Sequence, residues 1–331
     1  MTGELGWSFV RMKDGREEVS RHEGWMDRDE TQPWTRETLA PVWSATKGPM
    51  AASLLMALHR VGMDSETLVD RVWPELKVAD LTFGELFSHQ GGVAGLDEMA
   101  SIWDREAVIE ALEKQEPLWP VGQHGYHPRT IGFLADEVVR RVDGRSLGAL
   151  WREEIAKPNG IDFWIGLPES EHDRVAELVP ARLGKGGKPE AFYEALLTKG
   201  TLTRKAFGSP GGLSGVAEMN QPKAWQAGFP AMGGVGSAVG LAKFYDWVLQ
   251  QDFVTEMITP QISGLDEIQR IENSFGFGMM LGLGPEKNCF GHPGAGGSYG
   301  MANAETGESY AFVMNRFEAN LYPSEERLAL I

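Results

Sequence analysis

Two side chains three positions apart, Ser44 and Lys47 in Pro41-Val-Trp-Ser-Ala-Thr-Lys-Gly-Pro-Met50, carry the best prospect of covalent chemistry in this chain. On a helix, residues three apart are surface neighbours, with Cβ atoms roughly 5–6 Å apart. A serine hydroxyl becomes a useful nucleophile when a base takes its proton, and a nearby amine can be that base. The amine must first be made neutral by desolvation or a positive neighbour. A serine at a helix N-terminus also stands beside free backbone N–H groups able to face developing negative charge. The pair alone is a weak signal, because S-x-x-K arises by chance and a capping serine with a solvated lysine is the commoner explanation.

Other segments add candidates. Gly125-Tyr126-His127 lies in a Gly/Pro-rich loop, and a phenol close to Lys47 can relay the serine proton. His292-Pro-Gly294-Ala295-Gly-Gly297 follows an expected strand, where glycines let a ligand approach the backbone and the Ala295 N–H is a candidate oxyanion donor. Gly296-Gly-Ser-Tyr-Gly300 matches G-x-S-x-G, but that elbow needs a later histidine, and the last of the seven histidines is His292. Ser298 is therefore rejected as nucleophile. His89 reads as a hydrogen-bonded structural histidine. The lone Cys289 reads as a small buried hydrophobe and permits no internal disulfide. No H-E-x-x-H, C-x-x-C, P-loop or complete G-x-G-x-x-G occurs, so no metal or cofactor is expected.

These residues need elements to hold them. Trp7–Met12 and Glu17–Trp25 read as strands around Lys13-Asp14-Gly15. From Met50 the apolar positions follow helical spacing, with Gly62 a plausible stop and Pro49 predicting an irregular first turn. Helices are expected at Leu81–Ser88, Ser101–Lys114, Thr130–Val142, Ser146–Lys157, Pro189–Thr198 and near Ala238–Gln251. Gly/Pro-rich loops are expected over Pro117–Pro128 and Gly184–Pro189. Strands are expected at Phe277–Leu283, Asn288–Gly291, Tyr299–Ala302 and Tyr310–Arg316, followed by a short helix capped by Ser324. Strands at both ends around a helical middle predict an α/β lobe from residues 1–68 and 210–331, with a mainly helical lobe from 69–209.

Composition narrows the partners. The 331 residues are 42% hydrophobic and 24% charged, as in an ordinary globular enzyme. A net charge of −16 argues against nucleic acid and anionic membranes and for a neutral or cationic small molecule. No signal peptide or membrane span is read, so a cytoplasmic location is expected; the sequence does not set the oligomeric state.

In combination the motifs are more specific than singly. Ser44-Ala-Thr-Lys47, Tyr126 about 80 residues later and His292-Pro-Gly near the C-terminus follow the order of a known set. Gly24-Trp-Met-Asp, Leu86-Phe-Ser-His-Gln-Gly-Gly92 and Asp162-Phe-Trp-Ile-Gly-Leu-Pro168 add to it. Over nearly its whole length the chain resembles the class C β-lactamase-like serine hydrolases, most closely their family VIII carboxylesterase branch.

The resemblance implies a β-lactamase-like fold: an antiparallel sheet flanked by helices, with an inserted helical lobe. It also implies a mechanism, in which Ser44 attacks an acyl carbonyl while Lys47 and Tyr126 share its proton. Tyr126 then protonates the leaving alcohol and activates water, and the N–H groups of Ser44 and Ala295 form the oxyanion hole. His292 and Gly294 occupy the substrate-facing strand. Both the amine and the phenol are expected to have lowered pKa values in a shared cationic site. Pro128 stands where β-lactamases carry the Asn of Y-x-N, and His292-Pro-Gly294 replaces K-T-G, which favours esters over β-lactams. The chain enters its first strand almost at once, without the helix usual in relatives, so sheet surface is expected to be exposed or covered by a partner. The expected activity is hydrolysis of small carboxylic esters. Acyl transfer, amide, lactone or β-lactam hydrolysis, and an inactive binding protein on the same fold are the rivals.

Overall fold

Apolar segments from the two ends of the chain build one large sheet. The computed structural model describes residues 3–180, 191–318 and 320–331. In strand β1 (Gly6–Lys13), Trp7 and Phe9 join one apolar cluster while Val10 and Met12 join another on the opposite face. Strand β2 (Arg16–Gly24) pairs back on β1 and stays largely exposed, as a polar edge strand does.

The chain continues through β3 (Ala40–Pro41) and a 3-10 turn at Trp43–Thr46 into α1 (Lys47–Arg60). Helices α2 (Phe83–Phe87), α3 (Arg105–Lys114), α4 (Thr130–Asp143) and α5 (Leu147–Leu150) follow, the last running into a π-helical turn at Trp151–Ala156. Next come β4 (Phe163–Trp164), α6 (Ala191–Leu197), α7 (Leu202–Gly208), α8 (Val216–Met219) and α9 (Pro222–Gln226). After β5 (Val235–Gly236) lie α10 (Ala238–Leu249) and α11 (Val254–Ile258). The chain ends with β6 (Ile262–Leu265), β7 (Glu272–Phe275), β8 (Met280–Leu283), β9 (Cys289–Pro293), β10 (Tyr299–Asn303), β11 (Glu308–Met314) and α12 (Glu325–Leu328).

The eight-stranded sheet has the order β2-β1-β11-β10-β9-β8-β7-β6, antiparallel throughout. It is the antiparallel sheet flanked by helices that the resemblance implies. A small sheet, β3-β5-β4, joins residues 40–41 and 235–236 to 163–164 and so ties the helical middle to the segments around it. Among the described residues no helix is long and apolar enough to cross a membrane.

Helix α10 lies across β11, β1 and β10, and α1 packs between α4 and the end of β9. On the other face, Trp7, Phe9, Tyr299, Met301, Phe312 and Met314 cluster under Leu328, Leu330 and Ile331. Sheet surface expected to be bare or partner-covered is thus buried by the chain's own C-terminal residues.

Several boundaries differ from expectation for local reasons. The helix expected from Ser101 begins at Arg105, because Ser101 bridges to Gly211 and the Asp104 side chain caps the first turn. The strand expected from Phe277 begins at Met280; Phe277 and Gly278 instead bond back to Met257 and Phe87. Strands β6 and β7 carry no clear apolar alternation and escaped the sequence reading. Ser324 precedes α12, but its hydroxyl donates to Glu318 Oε1 (3.0 Å) rather than capping the helix. The loop expected at Gly184–Pro189, and the helix start expected at Pro189, lie outside the described residues.

Candidate active site

The turn that holds Ser44 is fixed before the helix begins. Trp43 adopts a left-handed φ of 50°, uncommon for a large side chain. Thr46 fastens the turn by donating to the Trp43 carbonyl and accepting from the Gly234 N–H (2.9 Å). Because α1 proper starts at Lys47, Pro49 falls in its first turn, where a missing N–H costs little. The irregularity that Pro49 predicts is the 3-10 turn carrying Ser44.

Lys47 is wholly buried, and its Nζ lies 3.3 Å from Ser44 Oγ. The same amine donates to the carbonyls of Pro128 (2.9 Å) and Ala231 (2.9 Å). Burial holds its pKa well below the ordinary lysine value. A neutral amine has two N–H groups and one lone pair. With two N–H groups on these carbonyls, a deprotonated Lys47 would turn its lone pair toward Ser44.

Tyr126 comes in from the loop before α4. Its ring lies 4.9 Å from Lys47 Nζ, and the Ser44 hydroxyl is among the neighbours that act on its phenol. The Tyr126 N–H is held by both carboxylate oxygens of Asp266 (3.1 Å each), and Oδ1 also accepts from the N–H groups of Ile268 and Gln269. Burial raises the phenol's pKa, so the expectation that amine and phenol are both lowered is corrected. The reason is burial of the phenol, to which the nearby Asp266 carboxylate adds. Burial also depresses the imidazoles of His127 and His292, to about 3. Burial thus pushes both expected participants toward their uncharged forms, the amine by lowering its pKa and the phenol by raising it.

His292 sits behind Tyr126 rather than on the cavity wall. Its Nδ1–H donates to the Pro293 carbonyl (2.7 Å), which leaves Nε2 as a lone pair 3.4 Å from the Tyr126 hydroxyl. His89 is buried and structural, its Nδ1 accepting from the His127 N–H (3.2 Å). Gly294 packs directly on the nucleophile turn: a Cβ there would lie 2.0 Å from the Val42 carbonyl. Only a glycine permits that approach. Ser298 is fully buried between β9 and β10 and does not line the cavity.

A cavity of about 420 Å³ opens at Ser44, with Ala295 on its wall and an otherwise mainly apolar lining that includes Trp43, Phe207, Met232 and Phe317. Trp119 does not line this cavity; its ring packs on His127. Arg129 is the one cation lining the cavity among the described residues, and its guanidinium is spent on the carbonyls of Pro210, Gly212 and Leu213. Among the described residues no cluster of His, Cys, Asp or Glu is arranged to hold a metal.

A model of the Beta-lactamase family matches residues 1–330. The chain belongs to that family. Its relatives include the Esterase/beta-lactamase LipL of Mycobacterium tuberculosis, 28% identical, with 94% of this chain and 77% of the relative covered. Among solved structures, a family VIII carboxylesterase aligns at TM-score 0.86 with 30% identity, covering 99% of this chain and 91% of the other. A penicillin-binding protein homologue from Caulobacter crescentus aligns at TM-score 0.84 with 33% identity, again over 99% and 91%. This member of the Beta-lactamase family is a serine hydrolase of the β-lactamase fold. The two carbonyls on Lys47 and the Asp266 clasp on Tyr126 escaped the sequence reading, because backbone acceptors and a loop carboxylate 140 residues away leave no motif.

Proposed function

We propose that this hydrolase cleaves small uncharged carboxylic esters through an acyl-enzyme on Ser44. The observation that carries the reading is the buried Lys47 amine, held by the carbonyls of Pro128 and Ala231 with its Nζ 3.3 Å from the Ser44 hydroxyl. Lys47 takes the serine proton as Oγ attacks the ester carbonyl. The N–H groups of Ser44 and Ala295 receive the negative charge on the carbonyl oxygen. On collapse, the Tyr126 hydroxyl gives its proton to the departing alkoxide and regains one from the Lys47 ammonium. Water repeats the sequence against the acyl-enzyme, with Lys47 drawing its proton through Tyr126. His292 takes no charge; its lone pair steadies the phenol.

Esters are favoured over β-lactams by three features. Pro128 offers no side-chain donor to a lactam amide, His292 is neutral, and the Arg129 guanidinium is already engaged, so nothing described attracts a substrate carboxylate. The names of the esterase and carboxylesterase relatives support the same reading.

The test is a panel of p-nitrophenyl esters and a chromogenic cephalosporin on wild type and Ser44→Ala. Ester turnover abolished by Ser44→Ala, with weak or absent cephalosporin turnover, is the expected result. Ester turnover surviving in Ser44→Ala removes Ser44 as nucleophile, and rapid cephalosporin turnover reverses the substrate preference.

A further inference from the structure

The loop bearing the Ala295 N–H is glycine on three of its four positions, Gly294-Ala-Gly-Gly297, and something outside it must hold it still. Arg327, from the C-terminal helix α12, lies beneath it and is 1% exposed. Its Nη1 donates to the Gly296 carbonyl at 2.6 Å, and the Glu318 N–H donates to the same oxygen at 3.0 Å. Gly297 makes room for the guanidinium: a Cβ there would lie 1.7 Å from Nη1. Other donors of Arg327 go to Glu4 Oε1 (2.7 Å) and the Arg316 carbonyl (3.1 Å), and Glu318 Oε2 lies 3.4 Å from Nη1, so the fork is aimed from several sides.

The bonds continue beyond Gly296. The carbonyl that Arg327 holds belongs to the same planar peptide as the Gly297 N–H, and that N–H donates to the Gly294 carbonyl at 3.0 Å. The Gly294 carbonyl in turn shares a peptide with the Ala295 N–H, which points the opposite way in a trans unit. A buried cation is thus connected through two peptide groups in series to the N–H assigned to the oxyanion. Each link fixes the plane of the next, and hydrogen bonds in such a chain polarise one another.

We propose that Arg327 is a positioning residue for the oxyanion loop, setting the direction of the Ala295 N–H and strengthening it as a donor. This rests on the reading of Ala295 given above. It makes the C-terminal helix part of the catalytic apparatus without touching substrate. Only an interaction that grows in the transition state is affected, so the loss falls on kcat and leaves KM nearly unchanged.

The experiment uses Arg327→Lys, which keeps the buried charge but loses the fork, and Glu4→Gln/Glu318→Gln/Arg327→Met, which removes the buried cation together with both carboxylates paired to it. Turnover of a p-nitrophenyl ester and of its thionoester is measured per competent site, counted by exhaustive fluorophosphonate labelling of Ser44. Removing an oxyanion donor outright typically costs about 10²–10³ in rate, and a misdirected donor costs less. The expected result is a loss in kcat of about 10-fold to 100-fold in both variants, with KM within about 2-fold and reduced preference for the oxo-ester over the thionoester. Wild-type kcat and wild-type thionoester discrimination per labelled site, with only a lower melting temperature, would overturn the proposal. Ala295→Pro, which deletes the N–H itself, separates the two levels. If it retains wild-type kcat, the oxyanion assignment fails; if it loses activity while both Arg327 variants keep theirs, only the role of Arg327 fails.

Discussion

Replacing Lys47 by Met keeps the length and apolar stem of a wholly buried side chain and removes only the amine. Two consequences follow from the same atoms. General-base assistance is typically worth about 10²–10⁴ in rate, so kcat for ester hydrolysis falls by that range, equivalent to about 2.7–5.5 kcal/mol of barrier. The second consequence concerns stability. Burial depresses the folded-state pKa of Lys47 below its ordinary value of 10.5. Between those two values the unfolded chain binds a proton that the folded chain lacks. Stability therefore rises with pH across that window, by up to about 1.36 kcal/mol per unit, and falls as pH drops. Lys47→Met abolishes this slope. The carbonyls of Pro128 and Ala231 lose a donor, at about 1–3 kcal/mol each, while the cost of burying an amine disappears. These contributions oppose each other, so the slope rather than the absolute stability is the clean readout. Urea unfolding of both proteins from pH 7 to 8.5 avoids the burial-raised Cys289 thiol (about 11), whose opposite contribution begins above its ordinary value of 9.0. Turnover within tenfold of wild type, or parallel stability curves, would refute the neutral-amine account.

Other perturbations should give distinct signatures. Tyr126→Phe is expected to slow alkyl esters by about 10²–10⁴ but p-nitrophenyl esters far less, because a good leaving group needs little protonation; a leaving-group series measures this. Gly294→Ala drives a Cβ to within 2.0 Å of the Val42 carbonyl. It should cost about 1–3 kcal/mol in urea titrations and move the nucleophile turn enough to lower kcat. Burial depresses the imidazoles of His127 and His292 to about 3, against an ordinary 6.5. The unfolded chain then binds more protons between those values, so stability should be lost as pH falls through that window; denaturant midpoints at pH 7, 5 and 4 check the sign.

The sequence made the order Ser44, Lys47, Tyr126, His292 legible because each residue sits in a short local motif. The strands expected at Trp7–Met12 and Tyr310–Arg316 were legible from their apolar residues, the second ending earlier, at Met314. What stayed hidden is held by long-range backbone contacts. The carbonyls of Pro128 and Ala231 meet Lys47 across 81 and 184 residues, and no residue type announces a carbonyl's direction. Pro128 looked like a loss of function at the Asn position of the family motif, yet its backbone oxygen is one of the two that orient the amine. The opposite pKa shifts of Lys47 and Tyr126 depend on the depth of burial, which spacing does not reveal. The polar strands β6 and β7 are recruited by neighbouring strands rather than by their own pattern.

The covalent intermediate tests the central claim most directly. Rapid acid quench during turnover of a slowly deacylated p-nitrophenyl ester, followed by intact-mass and peptide mass spectrometry, should find one acyl group per chain on the peptide containing Ser44. Full turnover with no acylated chain, or an acyl group on any other residue, would contradict the account.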